Sequence, residues 1–447
     1  MKKSILHFAA SLLLVVSITS KTFAQWQNVG TAGFSAGLAT FNSLAINSSG
    51  EPYVAFRDGS NTNKATVMKF NGTSWVNVGS AGFSAGLATF NSLAINSSGE
   101  PYVAFQDGTN SKATVMKFDG TSWNIVGTAG FSASGADHIS LAFNSIGEPY
   151  VVYRDGASFY KATVMKFNGT SWVTVGVAGF SAGGASNNSL VFSSSGEPFV
   201  AYSDGGNSLK ATVMKFNGTS WVTVGTPGFS TGSANYISLA LNSSGEPYVA
   251  YSDGANSSKA TVMKFNGTSW VTVGTSGFSA GAAGTTRIAL NNSGEPFVVY
   301  ADAVNSSKAT VMKFNGTSWI TVGSAGFSAG MADDTHLALN NSGVPYVLYT
   351  DEGNSYKATV MKFLGPSTGM EDIKELISIS ISPNPTKDII NFSEYSNVQL
   401  TNITGQIIAD LKNVNAIDLT NQVPGIYFLT LTNNDRKVVQ RCKIVKE

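Results

Sequence analysis

An aspartate recurs at Asp58, Asp107, Asp155, Asp204, Asp253, Asp302 and Asp351, and most copies are followed by Gly and, further on, Asn or Ser. Carboxylate and amide oxygens suit a hard cation, so these loops are the candidate calcium positions. One carboxylate per loop is thin for that task, and no loop carries the alternating Asp spacing of a dedicated calcium site. An Asx-type turn, with the side chain capping backbone N–H groups, is the simpler account. No other cofactor is signalled.

Catalytic chemistry has less to stand on. The chain has three histidines, of which His7 lies in an N-terminal apolar stretch. His138 and His336 occupy corresponding places far apart in the chain, without metal-type spacing. Asp333, Asp334 and His336 are neighbours in sequence, yet no nucleophile accompanies them. No carboxylate pair for glycoside cleavage is marked. The single cysteine, Cys442, excludes an internal disulfide. No residue is therefore assigned as catalytic.

The elements that must carry these side chains are repeats. The core Lys-Ala-Thr-Val-Met-Lys-Phe starts at Lys64, Lys112, Lys161, Lys210, Lys259, Lys308 and Lys357. Tryptophan keeps the same beat at Trp26, Trp75, Trp123, Trp172, Trp221, Trp270 and Trp319. Each unit reads as four short strands separated by turn residues. The Asn-Gly after the Lys-Ala-Thr core predicts a two-residue type I′ turn. Strands apolar on both faces, such as Tyr248–Tyr251, belong between packed layers. Four strands repeated seven times predict an all-β, seven-bladed β-propeller of four-stranded blades. The last unit lacks its Trp strand while Trp26–Val29 is spare, so the N-terminal strand is expected to close the last blade and remove an open edge.

The units differ at two places. Seven residues after the Phe of Gly-Phe-Ser stand Phe41, Phe90, His138, Asn187, Tyr236, Thr285 and Asp334. Just before the strand lysine stand Asn63, Ser111, Tyr160, Leu209, Ser258, Ser307 and Tyr356. Both sets are read as loops on one face of the disc, where variation on a fixed scaffold suits recognition. The candidate ligand-binding residues are Phe41, Phe90, His138, Asn187, Tyr236, Asp334, Tyr160 and Tyr356. The repeated Glu51, Glu100, Glu148, Glu197, Glu246 and Glu295 are expected to pair with strand lysines, Val344 being the exception.

Formal net charge is +1 and charged residues are 12%. That balance gives no electrostatic case for nucleic acid. Residues 1–24 read as a secretory signal peptide: Lys2 and Lys3, an apolar run, then Thr22-Phe23-Ala24 at the cut. No other stretch is long and apolar enough to predict a transmembrane span.

Three resemblances follow from motifs. Asp119-Gly120-Thr121-Ser122-Trp123 resembles a degenerate Asp-box of sialidase-type propellers, without its Ser, so that family's catalytic residues do not carry over. The Trp repeats also resemble those of bacterial seven-bladed propeller lectins, which implies sugar sites between blades. The tail is similar to the type A sorting domain of the type IX secretion system. It carries Pro383-Asn384-Pro385, Thr404-Gly405-Gln406, Gly425-Ile426-Tyr427-Phe428 and Lys443-Ile444-Val445-Lys446 in order. That resemblance implies the secretion machinery as partner, and a secreted or outer-membrane-surface location.

The expected layout is a signal at 1–24, propeller at 25–366, linker at 367–376 and sorting domain at 377–447, the last a small β-sandwich. The expected function is a carbohydrate- or extracellular-polymer-binding module. A structural or adhesive surface protein is the alternative, and a glycan-active hydrolase the third reading.

Overall fold

The computed structural model describes residues 25–365, 381–432 and 438–447. The signal peptide and linker expected at 1–24 and 367–376 lie outside the described residues. The chain divides into two compact units, Ala24–Gly365 and one containing Pro366–Glu447.

The first unit is a seven-bladed propeller. The blade of Ala39–Ile46, Pro52–Asp58, Lys64–Phe70 and Trp75–Asn77 is one antiparallel sheet in chain order, and five more blades repeat it. The seventh joins Ala332–Leu339, Pro345–Asp351 and Lys357–Leu364 to the N-terminal strand Gln25–Asn28, with Trp26 opposite Phe363. The first strand of every blade packs against its counterparts in both neighbouring blades, so seven edge strands close a ring around the propeller axis.

Packing follows the repeat. In the second strand Tyr53, Val54, Ala55 and Phe56 are all buried, because each sheet is covered on both faces by a neighbour. Every indole N–H donates to a valine carbonyl of the preceding blade at 2.7–2.8 Å. Every indole also stacks on the Phe of a Gly-Phe-Ser segment, with centroids 3.9–4.3 Å apart. Gly323 shows how tight this seam is. It sits at φ +72, and a Cβ there would meet Phe363 at 2.8 Å and Trp26 at 3.1 Å.

Two local expectations are corrected. The Asn-Gly connection is four residues, Asn71–Ser74, with positive φ at Gly72 and not at Asn71. Asn71 Oδ1 accepts the N–H groups of Thr73 and Ser74, so the asparagine acts as an Asx cap and no type I′ hairpin forms. The residues Phe41 through Asp334 are also not loop residues. Each lies inside the first strand of its blade, at a register shift that gives it a φ of 42–54°.

The second unit is one five-stranded sheet built on the long strand Ile389–Asn402, which pairs with Ile407–Asp418 and with Gly425–Thr432. It curls around Ile390, Leu400, Leu419, Leu429 and Ile444, and so closes the core expected of a sandwich within a single sheet.

The closure has a measurable consequence. Trp26→Ala is expected to lower stability by about 3–5 kcal/mol, the usual range for truncating a buried Trp. Trp26→Phe keeps a stacking ring and loses the indole bond, for a smaller loss of about 1–2 kcal/mol. Chemical denaturation of both variants checks the order.

Candidate functional site

The geometry separates the sequence candidates into three places. The recurring aspartates are buried caps. Asp58 Oδ1 accepts the Ser60 N–H at 2.9 Å, and its Oδ2 accepts Asn61 Nδ2 at 2.8 Å and Thr66 Oγ1 at 2.9 Å. Asp204, Asp253 and Asp302 repeat all three bonds. Asp155 makes the same set with Ser158 in the asparagine's place, and Asp107 binds the N–H and hydroxyl of Thr109. Asp351 bonds Asn354 and Thr359 but leaves Oδ1 unpartnered. Apart from that Asp351 oxygen, these groups are spent on the loop itself, which is the Asx-turn geometry. Among the described residues no three acidic, His or Cys groups are placed to share a metal ion.

The residues before the strand lysine form the rim of that same face. The carbonyls of Asn63, Ser111, Tyr160, Leu209, Ser258, Ser307 and Tyr356 accept the N–H that opens the next blade's first strand, at 2.8–3.0 Å. All seven hold positive φ, yet none is glycine. Their side chains are displayed: Tyr160 is 60% exposed and Tyr356 47%. The face therefore presents variable side chains on a backbone fixed by the seam.

The first-strand set lies on the axial ring. Phe41 and Phe90 are 5.1 Å apart, and Phe90 and His138 are 5.3 Å apart, so three blades carry a continuous aromatic arc. Arg57 lies 4.9 Å over Phe41. Arg154 is held by both oxygens of Asp137 at 2.6 Å and lies 5.3 Å from the Tyr160 ring, tying the ring to the rim. Asn187 stands in the next blade after the aromatic arc, and the residue after it, Asn188, is buried with both amide atoms unpartnered, as is Asn91. On the far side, Tyr236, Arg287, Asp334 and His336 interact across three successive blades. Asp334 Oδ2 accepts the Asn42 backbone N–H across the final seam. Sequence reading missed Arg287, although its departure from the serine of other units is visible in the repeats.

Charge on this arc is perturbed by its surroundings. Burial, and then Asp333, push the Asp334 carboxyl up to about 6, against the Asn42 bond and Arg287. Burial, and then Arg287, hold His336 well below the ordinary imidazole value, so it is neutral in the folded chain. Burial also lowers His138, against the pull of Asp137.

The opposite face holds pockets between blades. One of about 340 Å³ is lined by Tyr53 and Lys69 of the first blade and by Glu100, Phe118, Asp119 and Gly120 of the second. Its counterpart between the third and fourth blades, about 420 Å³, has Tyr150, Lys166, Glu197, Phe216, Asn217 and Gly218. Lys69 lies 5.7 Å over Tyr53, and Lys166 lies 5.7 Å over Tyr150. The lysines pair with glutamates of their own blade, Lys69 with Glu51 at 3.8 Å and Lys166 with Glu148 at 3.2 Å. Sequence reading placed recognition on the variable face. These pockets are built instead from the turns that hardly vary.

Residues 380–447 match the family model of the secretion system C-terminal sorting domain. The tail is a type IX sorting domain, so the chain is addressed for export to the cell surface or beyond. No helix among the described residues is long and apolar enough to cross a membrane. No curated protein matches the chain in sequence.

Among solved structures, PorZ of the type IX secretion system of Porphyromonas gingivalis is similar at 12% identity and a TM-score of 0.49; the match covers 92% of this chain. The chain spans 60% of that protein's length. The polysaccharide lyase PL25-Ulvanlyase is similar at 13% identity and a TM-score of 0.50, over 76% of this chain and 95% of the other. SapL1 lectin, solved with alpha methyl fucoside, is similar at 15% identity and a TM-score of 0.45, over 67% of this chain and 99% of the other. At such identities the likeness is one of fold, and function has to be argued from sites.

The axial charges make stability depend on pH in opposing ways. The unfolded chain protonates His336 near 6.5 while the folded chain does not, so this group removes stability as pH falls below that value. Asp334 does the reverse: between its unfolded value of 3.8 and about 6 the folded chain holds the extra proton, so its contribution falls as pH rises. His336→Gln is expected to flatten the acid-side loss, and Asp334→Asn to steepen it. Melting temperatures from pH 4 to pH 8 for both variants check the two signs.

Proposed function

We propose that this exported propeller is a non-catalytic carbohydrate-binding module whose sites are the pockets between blades. The observation that carries the reading is the recurrence of one pocket at two seams, each with aromatic rings, a lysine, a glutamate and an Asp/Asn-Gly turn. The half-buried Phe118 and Phe216 rings supply the apolar wall for the C–H face of a sugar, while ammonium and carboxylate groups hold its hydroxyls. Weak copies around a ring gain by avidity on a polymer.

A second reading, an adhesive protein that contacts other proteins, draws support from the Asp-loop face. There Phe159 is 86% exposed beside Tyr160, and Leu209 and Tyr356 are about half exposed. Exposed apolar side chains of this size suit protein contact more than hydrated polymer.

A glycan array probed with the purified chain, with and without EDTA, tests the proposal. Binding to one sugar family is expected, unchanged by EDTA because the loop aspartates are capped. Lys69→Ala together with Lys166→Ala is expected to weaken that binding about tenfold, since each pocket contributes to avidity. Both lysines are about one-third exposed, so the fold tolerates the change. EDTA sensitivity would return the aspartate loops to the metal reading. A blank array sinks the carbohydrate proposal for the sugars displayed and leaves the adhesive one.

A further inference from the structure

The blades are near copies, so a break in the repeat at the axis marks a residue that folding alone did not require. Two positions after the strand bulge, five blades carry Ser43, Ser92, Ser140, Ser189 and Ser238. Each hydroxyl accepts a backbone N–H from the next blade's first strand, at Leu93, Leu141, Leu190, Leu239 and Ile288, over 2.9–3.2 Å. The last two blades give up this stitch and hold Arg287 and His336 instead.

Arg287 is half-buried on the axial ring, and among the described residues its one side-chain hydrogen bond runs from Nη1 to the Thr286 carbonyl at 3.1 Å. A guanidinium has five N–H donors, so most of this fork is free. It forms no ion pair among the described residues, whereas Arg154 is gripped by Asp137 at 2.6 Å. The nearby carboxylate, Asp334, is turned to the Asn42 N–H across the seam. Asp334 therefore acts on Arg287 through its charge without contacting the fork, and the free donors are left for a ligand carboxylate. Tyr236 and His336 flank it, the latter neutral and able to donate or accept. Across the ring, Phe41, Phe90 and His138 add the aromatic arc. The bulge positions, which bear the arc, Tyr236 and Asp334, hold positive φ, where glycine would be least strained, yet all seven keep side chains.

We propose that Arg287, flanked by Tyr236 and His336, forms an axial subsite that takes the carboxylate of an acidic sugar ring, apart from the interblade pockets. The planar fork matches a carboxylate through two parallel N–H···O bonds, and the exposed Tyr236 ring beside it receives the sugar ring. The site goes beyond the pocket reading and does not depend on it, since the two share no residue.

Calorimetric titration of the full chain with D-glucuronate, its methyl ester and D-glucose tests the proposal. Glucuronate is expected to bind at least tenfold more tightly than the ester or glucose, and sulfate to compete poorly. Arg287→Gln is expected to weaken glucuronate about tenfold or more, with Arg287→Lys between. Equal binding of acid and ester overturns the proposal on the native chain, without recourse to any variant. Retained affinity in a folded Arg287→Gln chain, or equal competition by sulfate, overturns it as well. Failure here leaves the interblade proposal standing, because that one is read by the lysine pair on neutral glycans.

Discussion

The propeller depends on one contact made seven times, an indole clamped between two blades. The Trp ring stacks on the Phe of a Gly-Phe-Ser segment while its N–H satisfies a carbonyl of the preceding blade. A buried carbonyl needs a partner, and a large ring needs a face to cover. One side chain meets both demands at each seam. The seventh clamp is Trp26 from the N-terminal strand, which stacks on Phe327 and bonds Val322. The same device therefore packs the blades and closes the circle. Each blade keeps only a three- or four-residue Trp strand as its outer edge, too short to pair readily with another chain.

Around that frame the polar repeats act locally. The aspartates, the Asx-capping asparagines and the glutamate–lysine pairs finish turns and cross-strand contacts inside single blades. A carboxylate that satisfies a backbone N–H, an amide and a threonine hydroxyl at once has little left for a ligand. Conspicuous recurrence in sequence thus belongs largely to folding. The interblade pockets differ, because each needs residues from two units. Their copies follow from the repeat as directly as the clamps do.

The axis is where the repeat is broken. Two blades exchange a serine stitch for an arginine and a histidine, and three others supply an aromatic arc. A near-symmetric scaffold thereby acquires one asymmetric place, with charges shifted by burial and by one another. The sorting domain adds an export address and says nothing about what that place holds.

The sequence by itself determined the seven four-stranded units, the closure by Trp26–Val29 and the sorting tail. These rest on local patterns of strand, turn and motif that repeat or read in order. The sequence also named Phe41, Phe90, His138, Asn187, Tyr236 and Asp334 as the variable positions. Tertiary structure decided what those positions are. A bulge inside the first strand turns what reads as a loop into a ring around the axis, and only ring closure brings Asp334 to Asn42, 292 residues away. The two-residue Asn-Gly turn gave way to a four-residue Asx cap for a related reason. The asparagine side chain satisfies backbone N–H groups, a choice that residue type leaves open and packing settles. Arg287 was legible only as an oddity in its repeat, because its placement among Tyr236, Asp334 and His336 is a fact about three blades at once.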